Sequence, residues 1–379
     1  MPVAHSSVPV EAAVAATSSQ RQLHIDALKL LASQLIVLHH LIAYGPISDA
    51  VNVLAPAAFD WLFEHTRMAV HIFLVLGGYL AARGFSPQGG AWNGSPLHAM
   101  LQRYRRLVLP CLAALVLAVV SAALTRLWMA DDFVPARPTL TQTLAHVLLI
   151  QGVLGLESLT AGIWYVAIDF QLFVMMALLL WTGHKLSQSS KRADLIGSAV
   201  AQTLVLAMML SSLFFFNRDD HWDNWALYFF GSYGMGAVAY WVGCSRRPAG
   251  YLSLLAVCGL AALMLDYRPR VWLALVVSLL LGLAQWQGSR FQLPRLPARL
   301  VKFVTTMGKL SYALFLVHFP VLMLGNALFV HLGLSGPAAG IALLLACWAV
   351  SLGVAVLFER WVEAPLARKP RAPVGLQPG

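Results

Sequence analysis

Asp26, Lys29, His39 and His40 lie inside residues 23–44, a run otherwise apolar enough to cross a bilayer. Crossing takes about 20 residues at roughly 1.5 Å of rise each. A charge at the bilayer centre costs on the order of 2.5–3.5 kcal/mol on insertion scales, so such residues usually face a cavity or a partner and mark a functional path. Lys29 and His40 are eleven positions apart. At about 100° per residue that is about three full turns, which puts both on one helix face roughly 16 Å apart. One wall of a polar passage is therefore expected, with a fixed cation at one level and a proton-exchanging imidazole at the other. On spacing alone, the arrangement suits a transporter or flippase relay through His40 and Lys29 as well as an enzyme.

The elements that must position these groups are membrane helices. The chain has 379 residues, 59% hydrophobic and 11% charged, whereas soluble domains carry about a quarter charged residues. Hydropathy predicts an all-α integral membrane bundle of about ten transmembrane helices, at residues 23–44, 68–85, 103–128, 163–182, 195–216, 225–244, 251–266, 271–287, 307–331 and 337–358. Residues 140–156 are apolar but interrupted by Gln142, His146, Gln151 and Gly152, and are expected as a short interfacial or re-entrant helix. One membrane domain, residues 23–366, is expected between a disordered cytoplasmic tail, 1–22, and a basic, Pro-rich cytoplasmic tail, 367–379. The start of the chain lacks the basic stretch and short apolar core of a secretory signal, so the first span is expected to be retained. With about 20 residues after the last span, no appended soluble hydrolase-like domain is expected. Cys111, Cys244, Cys258 and Cys347 sit in apolar segments without CxxC spacing, and read as core residues rather than disulfides or metal ligands.

Loop charges give the bundle a direction, because cytoplasmic connections are enriched in Lys and Arg. With the N-terminus inside, the inner connections carry Arg83, Arg103, Arg105 and Arg106, then Lys185, Lys191 and Arg192, then Arg246 and Arg247, then Arg290, Arg295, Arg299 and Lys302. Arg360, Arg368, Lys369 and Arg371 follow at the C-terminal end, so 17 of the 26 basic residues fall on one side. The opposite loops are acidic, as at Asp131, Asp132 and Asp219, and the alternation fails only at residues 267–270, which hold two arginines. N-in, C-in topology is expected, with Lys29 in the inner half and His40 near the outer face. The net charge of +10 is then a topological bias and implies no nucleic-acid partner. The run 218–223 with His221 has residue types suited to a metal or sugar site, but reads more simply as a solvated loop.

Six further stretches occur in an order that resembles one family. DALKLLASQLIVLHH, with Asp26, Lys29 and His40, resembles the first-span motif of bacterial membrane acyltransferase family 3, in which arginine usually holds the lysine position. AVHIFLVLGGYL resembles its second-span pattern, at Phe73, Leu74, Gly77, Gly78 and Tyr79, with Gly77 where the family has serine and His71 where it often has an acid. RYRRLVLP resembles the start of its third span, at Arg103, Arg106 and Pro110. WYVAIDFQLF is similar to its Trp-Tyr-x-x-x-Glu segment, at Trp164, Tyr165 and Gln171, with Asp169 in place of glutamate. GKLSYALFLVHFPV, with Gly308, Ser311, Tyr312, His318 and Pro320, resembles its Ser-Tyr and His-x-Pro block, and Glu363 with Pro365 its closing Glu-x-Pro.

The resemblance implies an O-acyltransferase of the cell inner (cytoplasmic) membrane, multi-pass in the lipid bilayer. It would move an acyl group, most often acetyl, from a cytosolic acyl-CoA to a hydroxyl of an envelope glycan, glycolipid or related acceptor. Acyl-CoA (acetyl-CoA) enters as co-substrate, with no cofactor bound permanently and no metal. On this reading His40 is the general base, with Asp169 or His318 orienting its ring. Lys29, Arg103 and Arg106, with Asp26 beside them, would hold the donor's phosphates, and His71, Trp164 and Tyr312 would contact substrate. The oligomeric state is not legible in the sequence.

Overall fold

The computed structural model describes residues 10–188, 193–288 and 296–367. The expected tails at 1–9 and 368–379, and Lys191, Arg192, Arg290, Arg295, Arg368, Lys369 and Arg371 of the loop-charge argument, lie outside the described residues. The helices are α1 (Val10–Ala43), α2 (Pro46–Asn52), α3 (Pro56–Thr66), α4 (Val70–Phe85), α5 (Pro96–Thr125), α6 (Leu140–Leu148) and α7 (Ile163–Ser187). They continue with α8 (Ala193–Phe214), α9 (Ala226–Val242), α10 (Pro248–Leu265), α11 (Pro269–Gln287), α12 (Ala298–His331), α13 (Gly336–Phe358) and α14 (Ala364–Ala367). No strand occurs among the described residues. Part of the tail expected to be disordered is helical, since α1 starts at Val10. Ala12, Ala13, Ala15 and Ala16, the best helix formers, favour that extension.

Among the described residues nine helices are long and apolar enough to cross a membrane. The remaining expected span is α9, whose 17 residues reach only about 25 Å. It can be short because it is sheathed by protein: nearly every side chain from Ala226 to Val242 is buried, with α4, α8 and α11 packed around it. Glycine permits this closeness. A Cβ added at Gly78 of α4 would collide with the Tyr233 backbone of α9, so the two main chains touch. Gly308 of α12 likewise faces the backbone of Asp26, bringing α1 against α12.

The 140–156 stretch does turn back into the bundle. Thr139 caps α6 by accepting from the Gln142 amide at 3.1 Å, and Leu149 adopts a left-handed conformation with φ 57°. Two protein donors satisfy carbonyls freed there. The Tyr104 hydroxyl donates to Val147 O at 2.7 Å, and Gln171 Nε2 donates to Leu149 O at 3.0 Å. Irregular backbone at membrane depth needs such partners, because lipid offers none. His146 donates from Nδ1 to Gln142 O at 2.7 Å, and its Nε2 accepts from the Leu159 amide.

The two arginines that broke the loop-charge pattern are explained by their partners. Arg268 is buried and donates to Asn217 Oδ1 (2.6 Å), Leu213 O (3.0 Å) and Ala262 O (3.4 Å), with Asp266 at 3.4 Å. Leu213 and Ala262 lie in the last turns of α8 and α10, whose dipoles favour a cation, and the Ala262 carbonyl also accepts from the Asp266 amide at 3.1 Å. Arg270 donates to Asn217 O at 3.0 Å and lies over the Tyr228 ring at 4.8 Å. Burial lowers the pKa of Arg268, with Asp266 opposing. Arg268→Ala is therefore expected to destabilise the fold by about 2–4 kcal/mol, since several charge-assisted bonds and their acceptors are lost together. A thermal-unfolding scan in detergent checks it, and an unchanged midpoint would show that α8 and α10 do not depend on this tie.

Of the four cysteines, Cys111 and Cys347 are buried, Cys258 is partly buried, and Cys244 is exposed. Cys244 therefore departs from the expected core placement. It follows the last turn of α9, where its thiol donates to Pro87 O at 3.4 Å.

Candidate active site

Two buried histidines from distant parts of the chain meet. His40 Nδ1 lies 2.7 Å from His318 Nε2, with the rings stacked at 4.9 Å between centroids. His318 Nδ1 is 3.0 Å from Leu314 O, one turn earlier on α12. A carbonyl can only accept, so His318 carries its proton on Nδ1 and its Nε2 must accept from His40. His40 is thereby held with its proton on Nδ1, leaving the Nε2 lone pair available as a base. That nitrogen has no partner among the described residues, and unlike His39 Nδ1 it is not sealed from solvent. Pro320, two residues on, lacks the amide that would bond the Leu316 carbonyl, which loosens α12 beside the pair. Tyr44, Phe133 and Phe319 form an aromatic enclosure on the far side.

A cavity of about 640 Å³ reaches toward this pair. Its charged lining, Lys29, Arg106, Lys309, Glu359 and Glu363, comes from the segments on the side of the bundle that carries both termini. Deeper in stand Phe73, Tyr165, Tyr233 and Phe315, and the Phe315 ring is 6.2 Å from His318. The imidazole pair thus lies just behind the cavity's aromatic wall. Arg103 and Asp169 also line the cavity and are bound to each other at 2.5 Å. Arg103 Nε is buried without a partner among the described residues, and the guanidinium also stacks on Phe173 at 5.2 Å. Gly77, the position of the family serine, faces Asp169 and the Tyr233 ring.

The expected site residues are therefore sorted by the fold. His318, not Asp169, contacts His40, and Asp169 holds Arg103 instead. Lys29 is 3.9 Å from Asp26 and shares the cavity with Arg106. Tyr312 lines the same cavity and donates to Leu107 O at 2.8 Å. His71 is apart from it, buried against Ser232 Oγ at 2.8 Å, and Trp164 lines a separate, smaller pocket. Lys309, Glu359 and Tyr233 were not anticipated. Lys309 stands inside the Gly308–Ser311 block and was legible as a charge beside a motif, and Glu359 as an acid near the closing Glu-x-Pro. Tyr233 lies in an apolar, glycine-rich helix and gave no signal.

The family model described as an acyltransferase domain matches residues 23–360, nearly the whole chain. The chain belongs to acyltransferase family 3, and is a multi-pass membrane acyltransferase. No curated protein and no solved structure matches it. Family membership decides between the two readings left open by the spacing of Lys29 and His40, in favour of the enzyme over the transporter.

Proposed function

We propose that this acyltransferase takes an acyl group, acetyl by preference, from a cytosolic acyl-CoA and delivers it to a hydroxyl of a cell-envelope glycan, glycolipid or related acceptor at the inner (cytoplasmic) membrane. The observation that carries the reading is the tautomer imposed on His40 through His318 beside a cavity lined by cations. Lys29, Lys309 and Arg106 hold the donor's phosphates, and its pantetheine arm follows the cavity to the aromatic wall at Phe315. Passage beyond Phe315 brings the thioester to His40. There Nε2 takes the acceptor hydroxyl proton as oxygen attacks the thioester carbon, and the tetrahedral adduct then expels the coenzyme thiolate, which recovers the proton from His40. The Arg103 guanidinium, which lines the cavity, offers a charged donor to the developing oxyanion.

Incubating membranes with radiolabelled acetyl-CoA tests the reading. Covalent label in envelope glycan or lipid is expected, and label that enters without covalent transfer would defeat it. Lys29→Ala is expected to raise the KM for acetyl-CoA about tenfold or more, the scale of one charge-assisted hydrogen bond. Lys29→Arg, which keeps the charge, should be affected less. Equal losses in both variants would remove Lys29 from donor binding.

A further inference from the structure

A second cavity, of about 230 Å³, opens at the other end of the bundle, where α7 and α9 begin. It is walled by Trp164 and Phe229, whose ring centroids are 5.8 Å apart at 37°, and by Gly152, Gln171, Asp223 and Asn224. The two rings form one bent apolar face rather than a cage. The rest of the lining is Ala167, Ile168 and hydrogen-bonding groups of mixed kind. Gln171 spends Nε2 on the Leu149 carbonyl and keeps Oε1 as an acceptor, Asn224 offers both a donor and an acceptor, and Asp223 accepts. Gly152 lies against Asn224, and a Cβ there would press on that residue's main chain.

This lining excludes several ligand classes. The lining holds Asp223 and no basic residue, and Arg270, the cation that acts on Asp223 from outside it, is already bound to Asn217 O, so a phosphate or carboxylate would meet a carboxylate with no cation on the wall. A fatty chain would make no hydrogen bond to Gln171, Asn224 or Asp223, the last two of which are exposed. The volume is also below the ~300–1,000 Å³ of a drug-sized site, so it suits one ring. A neutral sugar ring satisfies the whole wall, with its C–H face on Trp164 and Phe229 and its hydroxyls toward Gln171, Asp223 and Asn224.

The pocket does not adjoin His40. From Trp164 the aromatic path runs to Tyr165 (6.3 Å), to Phe315 (5.4 Å) and to His318 (6.2 Å) before reaching it. A ring held in the pocket cannot be the one that reacts. We propose that this pocket is a saccharide subsite, holding a neutral hexose unit of the acceptor some distance along the chain from the unit acylated at His40. The assignment rests on the proposed glycan acceptor, and it implies that extended acceptors are preferred to single sugars.

Saturation-transfer NMR on the full-length chain in lipid nanodiscs tests it, with glucose, N-acetylglucosamine, their linear tetrasaccharides and choline as probes. The tetrasaccharides are expected to give ring C–H signals. Trp164→Ala and Asn224→Ala should each weaken binding about tenfold or more, while His40→Ala should bind as the wild type does. Asn224 lies in a loop ahead of α9, so its variant reads the pocket even where loss of Trp164 disturbs α7. Absence of signal with every sugar, signals unchanged in both pocket variants, or choline bound in their place would overturn the subsite. Sugar binding in a chain that transfers no acyl group would overturn the proposed reaction and leave the subsite standing.

Discussion

Replacing His40 with alanine is expected to lower acyl transfer by about 10²–10⁴-fold, the usual contribution of a positioned general base. The expectation follows from the tautomer. His318 donates to Leu314 O and so can only accept at Nε2, which holds the His40 proton on Nδ1 and leaves Nε2 basic. His318 should matter in a graded way. His318→Gln keeps an oxygen able to accept from His40 Nδ1, whereas His318→Leu keeps none, so the glutamine variant should retain more activity. Initial rates with labelled acetyl-CoA, measured beside thermal unfolding, separate chemistry from folding. A folded His40→Ala protein with the wild-type rate would exclude His40 from the reaction.

Asp169→Ala should be the most damaging single change to stability, at about 3–5 kcal/mol, because it strands a cation deep in the bundle. Arg103 has Asp169 at 2.5 Å, and its Nε is already without a partner among the described residues. Removing both charges tests the cause. Arg103→Met combined with Asp169→Leu is expected to recover most of the lost stability, since a buried pair exchanged for apolar groups is often close to neutral. That double variant should fold yet transfer no acyl group if the guanidinium acts on the thioester. Wild-type turnover in it would make the pair purely structural, and an equally unstable double variant would mean that repulsion or packing, rather than an uncompensated charge, explains the single one.

The span pattern was readable because lipid imposes it: long apolar runs placed most helix ends to within a few residues, although α5 and α12 begin earlier than expected, at Pro96 and Ala298 rather than 103 and 307. Even α9 was visible by hydropathy, although its shortness makes sense only once α4, α8 and α11 are seen around it. Lys29 and His40 do share α1, but only Lys29 lines the cavity, and His40 lies behind its aromatic wall. What one helix cannot encode is its neighbour. The choice of His318 over Asp169 as partner to His40 depends on how α12 crosses α1 at Gly308, a contact between residues almost 280 positions apart. The exceptional arginines 268 and 270 were likewise visible as anomalies, but two of the acceptors, Asn217 and the Leu213 carbonyl, lie 51 and 55 positions from Arg268.

The Arg268 tie also bears on how the protein is made. As α10 and α11 emerge from the ribosome, the helix-end carbonyls and Asn217 are not yet assembled around this guanidinium, so on the N-in, C-in topology expected from the loop charges the insertion machinery meets two bare positive charges on the hairpin that must cross. Orientation at that moment rests on Arg246 and Arg247 ahead of α10 and the basic stretch behind α11. Neutralising those flanks is expected to invert the hairpin in a share of molecules, whereas neutralising Arg268 should ease translocation and harm only the finished fold. Topogenesis and stability therefore place opposite demands on the same residue, and the native chain satisfies them in sequence: first by outvoting Arg268, then by enclosing it.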